Sequence, residues 1–194
     1  MSTNTENTTA IRSLFYRADS DVAKAHPDDV GFDISPVSLK IVFCDGEKAT
    51  IDCTVSSAEF DRLLFAAIEE NKKRSFWKIG RQKGIRKLIF DSGVAIEPYP
   101  DFWMMACANS RVCKTNSLVL QNGVGIIDPG YRGNVKFIYL NTDFSYDITE
   151  DICILRKTCG QLIPIPYLNP QAIPSTTLNE TARGAGGFGS TSKD

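Results

Sequence analysis

No apolar run in this 194-residue chain approaches the roughly 20 residues that a membrane helix requires, which excludes a helical span. The opening MSTNTENTTA has neither the basic start nor the apolar centre of a secretory signal, so a cytoplasmic protein is expected. Six cysteines, at 44, 53, 107, 113, 153 and 159, never form a CxxC pair, and His26 is the sole histidine. Zinc-site and thioredoxin-like patterns are therefore missing. Cys53, Cys107 and Cys153 fall in apolar-rich runs and read as reduced, half-buried thiols, leaving oxygen ligands for any metal. A formal net charge of -1 gives no overall pull toward nucleic acid or anionic membrane. A charge-led partner would need a local patch.

What is present is a series of short β-rich runs: SLKIVF at 38, ATIDCTV at 49, KLIFDSGVAI at 87, SLVLQNGVGIID at 117, NVKFIYLN at 134, DICIL at 151 and QLIPIPYL at 161. DG at 45, NG at 122, PG at 129 and the prolines from Pro164 to Pro174 separate them, as turns and loops separate short strands. The expectation is a single all-β domain, a sandwich or barrel, over 11–174, after a disordered polar stretch at 1–10.

One helix interrupts the strands. SSAEFDRLLFAAIEENKKR, from 56, puts Phe60, Leu63, Leu64, Ala67 and Ile68 on one face. Ser56 and Glu59 have capping-box spacing, while Lys72, Lys73 and Arg74 complement the C-terminal dipole. Residues 72–87 then carry eight basic side chains, no acid, and the pair Phe76 and Trp77. A solvated basic face with both rings tucked inward is the favoured reading, and single-stranded nucleic-acid binding is the alternative.

GIIDPGYRGNVKF, from Gly125, sets one acid at a tight turn between apolar strands, with an aromatic three residues later. Asp128 could bond its own backbone as an Asx-turn. It could equally orient and deprotonate a water for attack on phosphorus, with the face of Tyr131 against a sugar.

GIIDPGYRG resembles the third motif of the trimeric deoxyuridine triphosphatases (dUTPases), and RGAGGFGST at 183 resembles their fifth. GFDIS at 31 is similar to the first, NSRVCKT at 109 corresponds to the second, and TCGQLI at 158 to the fourth. The motifs run in family order from about Leu14 to Thr191, and the resemblance extends to phage and viral types. It implies a jelly-roll-like β fold with one inserted α-helix, and hydrolysis of dUTP to dUMP and pyrophosphate. Asp128 would activate the water that attacks the α-phosphate, and Tyr131 would stack on deoxyribose. Asn122, in a hairpin arm, and the backbone near Gly125, Ile126 and Ile127 would read uracil. Ser110, Arg111, Lys136 and Gln161 would contact substrate, and Asp33 would sit near the water shell of a magnesium ion held mainly by the triphosphate. A homotrimer with shared sites is implied.

Two positions depart from the family pattern. Asn109 stands where the second motif has arginine, with Arg111 two places later, and Thr158 stands at the arginine of the fourth, beside Arg156 and Lys157. Either neighbour could compensate. The related dCTP deaminases carry a glutamate where this chain has Ile138, and NVKFIYLN holds no acid, which argues against deamination. A regulatory protein that keeps the nucleotide site as a switch is the reading from another class. The segment 56–86 is extra to the family's strands, and is expected as padding or a trimer contact, with docking of a protein or nucleic acid as the alternative.

The chain closes on RGAGGFGSTSKD. Composition alone fits a flexible arm over 175–194. Through the resemblance it becomes a lid, with Arg183, Gly187, Gly189, Ser190 and Thr191 on the phosphates and Phe188 over uracil.

Overall fold

Alternation of apolar and polar residues along short runs decides the architecture. SLKIVF buries Leu39, Ile41 and Phe43 and exposes Lys40, and KFIYLN buries Phe137, Tyr139 and Asn141. Each therefore covers a core with one face. The computed structural model describes residues 15–18, 22–75, 84–98, 101–144 and 147–166, with positions 172 and 174.

In chain order the elements are β1 (Phe15–Ala18), β2 (Val22–Ala23), β3 (Phe32–Ile34), β4 (Ser38–Phe43), β5 (Lys48–Asp52), α1 (Ser57–Ser75), β6 (Ile85–Asp91), β7 (Val94–Glu97) and β8 (Phe102–Cys107). A 3-10 helix (Ser110–Lys114), β9 (Leu118–Leu120), β10 (Val124–Ile127), β11 (Lys136–Asn141), α2 (Thr149–Lys157) and β12 (Gly160–Pro166) follow. One five-stranded sheet has the order β5-β4-β6-β11-β9, a second has β10-β8-β12-β3-β2, and β1 pairs with β7. Every pairing is antiparallel. The expected all-β, jelly-roll-like class holds.

Leu39, Ile41, Leu88, Phe90, Phe137 and Tyr139 from the first sheet share one apolar cluster with Ile34, Met104, Ala106 and Leu162 from the second. Phe90 and Tyr139 meet edge to face, with ring centroids 6.1 Å apart. The buried Tyr139 hydroxyl donates to the carbonyl of Cys159 at 2.7 Å, and a Cβ on Gly160 would fall 2.1 Å from the Phe137 ring. Only glycine lets β12 approach so closely, and that approach sets the height of Gln161.

The helix read at 56 forms as α1. Ser56 Oγ accepts the N–H of Glu59 at 3.3 Å, while the Glu59 carboxylate turns to Arg62 instead of closing the capping box. Phe60 and Leu64 are buried. The far end is fastened to the β4–β5 turn, where Asn71 Nδ2 donates to Asp45 and Arg74 lies 3.8 Å from Glu47. Phe76 and Trp77 lie outside the described residues, as do 1–10 and 175–194. No helix among the described residues is long and apolar enough to cross a membrane.

Two expectations need correction, and one strand was not read. DICIL is not a strand but the centre of α2, a second helix. Ile148, Ile152 and Leu155 are buried at helical spacing. Strand preferences span about 1 kcal/mol per position, whereas full burial contributes about 1.5–3 kcal/mol for each of Ile152 and Leu155, so burial decides. The NG at 122 does not close a hairpin, because β9 pairs with β11 in one sheet and β10 with β8 in the other. The chain crosses between sheets there. Finally, FWMMAC forms β8, a central strand that its sparse alternation concealed.

Candidate active site

Asp128 follows β10 at its end, where Ile127 faces Met104 of β8. The N–H of Tyr131 donates to the Asp128 carbonyl at 3.0 Å, closing a turn over Pro129 and Gly130. Arg132 braces that turn by donating to the carbonyls of Pro129 and Tyr131 and pairing with Glu97 at 3.1 Å. Asp128 is exposed, and no hydrogen bond among the described residues engages its carboxylate. The Asx-turn alternative does not form. The Tyr131 ring lies over Gly133, where a Cβ would be 2.4 Å from the phenolic oxygen, and its hydroxyl reaches the Asn134 carbonyl at 3.3 Å.

Asp128, Tyr131 and Asn134 line a cleft of about 240 Å³ with Ile126, Ile127, Val135 and Lys136. Lys136 is paired with Asp91 at 3.2 Å, and Asn134 Nδ2 also donates to Asp91. Burial pushes the Asp91 carboxyl up. The Gly93 N–H, Lys136 and Asn134 outweigh it and hold the group below the usual carboxylate range.

β10 is an edge strand, so one row of its backbone N–H and C=O groups meets no described strand. Such a row can read a planar base edge at fixed spacing. Gly125 lies under the Asn122 side chain, since a Cβ there would meet Asn122 Nδ2 at 3.3 Å and Ala106 at 3.2 Å. Asn122 is thus brought against Gly125, while Ile126 and Ile127 line the cleft with Asp128.

The other predicted residues gather elsewhere in the chain. Gln161 Nε2 donates to Asp33 Oδ1 at 2.9 Å across the β12–β3 ladder, uniting the first and fourth motifs. Asn109 is buried, accepts the N–H of Arg111 at 3.0 Å, and donates from Nδ2 to the carbonyl of buried Thr158 at 3.4 Å. The two positions lacking the family's arginine therefore meet as a neutral pair. Asn109 also fixes the start of the 3-10 helix that carries Ser110 and Arg111. Arg156 is not available to compensate, because it donates to the Cys53 and Val55 carbonyls and to Ser57. Arg111 and Lys157 remain, lining one open cavity of about 590 Å³ with Lys114, Glu150, Cys153 and Ile154. Lys114 was missed in the sequence, although its place three residues after Arg111 was a signal.

Among the described residues no three His, Cys, Asp or Glu side chains gather to hold a metal. Asp33, with one oxygen committed to Gln161, fits a hydrated, oxygen-seeking ion carried by a ligand, and not a protein-built cage. The cysteines are free thiols, and burial pushes Cys53 up to about 12 and Cys153 to about 11.

Ladder registers separate the two groups of residues. Val124, Cys107, Gln161 and Asp33 form one row across the second sheet. Asp128 lies four residues beyond Val124, about 14 Å along the strand, and two strands from Gln161, about 10 Å sideways. One chain does not join Asp128 to Gln161 and Ser110. Arg183, Gly187, Phe188, Gly189, Ser190 and Thr191 lie outside the described residues.

The dUTPase family model matches residues 110–192. A deoxyuridine 5'-triphosphate nucleotidohydrolase of Desulfitobacterium hafniense is 33% identical over 101 residues, 52% of this chain and 64% of the relative. The match thus spans less than two thirds of that relative's length. One from Bdellovibrio bacteriovorus is 31% identical over 107 residues, 55% of this chain and 69% of the relative. Among solved structures, a mutant dUTPase of Staphylococcus bacteriophage 80alpha with dUpNHpp has a TM-score of 0.57 at 16% identity, covering 92% of this chain and 98% of that one. At that identity the likeness is one of fold.

Proposed function

The chain belongs to the dUTPase family, and from that premise we propose that it hydrolyses dUTP to dUMP and pyrophosphate in the cytoplasm. The observation that carries the reading is the cleft at Asp128, where an uncommitted carboxylate, a tyrosine face and an edge strand meet. Asp128 takes the proton of the water that attacks the α-phosphate, a contribution of about 10²- to 10⁴-fold. Tyr131 packs on deoxyribose and leaves no room for a 2′-hydroxyl. The β10 backbone and Asn122 read the uracil edge, and the tight wall at Gly125 rejects a thymine methyl.

The phosphate chain is held by Ser110, Arg111 and Gln161, with Lys157 beside them. Because these lie far from Asp128 in one chain, each site is completed between copies, in a homotrimer. Magnesium bound to the triphosphate would lower its charge, with Asp33 facing the ion's water shell. Lys136, paired with Asp91, acts on the wall of the cleft. The arm at 183–191 closes over nucleotide as a lid, so truncation after Glu180 leaves a folded assembly with most turnover lost.

Pyrophosphate release with dUTP, dTTP, dCTP and UTP tests the reading. Fast turnover confined to dUTP is expected. Binding without turnover would favour a nucleotide-gated regulatory protein, and release of ammonia from dCTP would favour a deaminase.

A further inference from the structure

Arg156, in the last turn of α2, bonds the stretch that leads into α1 and the first residue of that helix. Its Nε donates to the Cys53 carbonyl at 3.1 Å, one terminal nitrogen to Ser57 Oγ at 3.2 Å, and the other to the Val55 carbonyl. The guanidinium carbon lies 4.5 Å from the centre of the Phe60 ring. One planar cation thus holds the entry to α1 from three sides, and a second contact, Cys153 Sγ to Asp61 at 3.5 Å, joins the same two helices.

The residues after Arg156 are tied, almost without a gap, to the other motifs. The Lys157 carbonyl accepts from Ser35 Oγ at 2.8 Å, and the Thr158 carbonyl accepts from Asn109. The Cys159 N–H donates to Ile34 at 2.8 Å, and Gln161 donates to Asp33. The run 156–161 therefore connects the insertion, the first motif and the cap of the 3-10 helix that bears Ser110 and Arg111.

We infer that Arg156 is a positioning residue: it couples the docking of α1 to the placement of Gln161, Ser110 and Arg111, so the insertion is a working part of the phosphate grip. This rests on the dUTP reading above. A shift of the α1 entry moves the end of α2, and with it the carbonyls that fix Ser35 and Asn109. Substrate affinity changes while the chemistry at Asp128, in the turn after β10, does not.

Steady-state kinetics on Arg156→Met, Arg156→Lys, Ser57→Ala and Phe65→Ala, with hydrogen exchange over 57–75, test it. Arg156→Met is expected to raise KM for dUTP at least about fivefold with kcat within about twofold. Arg156→Lys should recover part of the loss, Ser57→Ala should move KM the same way by less, and Phe65→Ala, on the exposed face of α1, should change nothing. Faster exchange in 57–75 with unchanged KM would overturn the inference, as would equal loss of kcat in Met and Lys variants through disassembly. Should Arg156→Met fail to fold, the Lys and Ser57 variants decide. If the wild type does not turn over dUTP, the proposed function fails by itself, and the dissociation constant for inorganic tripolyphosphate replaces KM in the same comparison.

Discussion

The turn that carries Asp128 and the junction that carries Asn109 hold their functional groups by opposite means. At the turn, Arg132, Gly133 and the β10–β8 ladder support the backbone and leave the acid outside every hydrogen bond among the described residues. At the junction, side chains are consumed in holding structure: Asn109 caps a helix and binds Thr158, and Arg156 fastens α1. Asp128 is positioned through its backbone and keeps its carboxylate outside those bonds, whereas Asn109 and Arg156 are spent on structure through their own side chains. The difference divides residues that look alike in sequence, Arg111 from Arg156 above all.

Breaking the turn should have the largest effect. Asp128→Asn keeps shape and removes the base, so pyrophosphate release is expected to fall by about 10²-fold or more with dUTP affinity retained. Near-normal rates would remove Asp128 from that role. At the junction, Arg111→Ala with Lys157→Ala removes two cations from one cavity, and KM for dUTP should rise at least about 10- to 100-fold, which is the loss of one charge-assisted bond worth about 1.5–3 kcal/mol. Unchanged KM would mean that the cavity is not on the phosphate path.

Smaller changes sharpen the contrast. Gly133→Ala pushes a methyl into the Tyr131 ring, and overpacking of this kind costs about 1–3 kcal/mol. The prediction is weaker dUTP binding with intact junction contacts, read from KM and a crystal structure. Asp91→Asn should be mildest, about 1 kcal/mol in urea unfolding at neutral pH. Asp91 is held below its ordinary value, so its stabilisation is present above the usual carboxylate range and lost as pH falls through the folded-state value. Mutant and wild type should therefore converge in acid, and a constant gap would contradict the assignment.

How much of this was legible in the sequence follows the same division. The turn was readable because DPGYRG states its own geometry in local residues, and α1 because its apolar face repeats over five positions. The junction was not. Nothing local to Asn109 announces a partner 49 residues away, and the helical burial of Ile148, Ile152 and Leu155 is set by the two sheets and α1, not by the β-rich letters of DICIL. The crossing at Asn122 was hidden for a related reason, since NG fixes a turn but not which strands its flanks join.

The claim that each site is divided between copies is tested most directly by mixing. Chains carrying Asp128→Asn, and chains carrying Ser110→Ala, Arg111→Ala and Gln161→Ala together, are refolded apart and as an equal mixture, and pyrophosphate release from dUTP is measured. Sites assembled from two copies should restore about a quarter of wild-type turnover in the mixture, because random assembly places intact halves together at that frequency. A mixture no more active than the mean of its parents would contradict it.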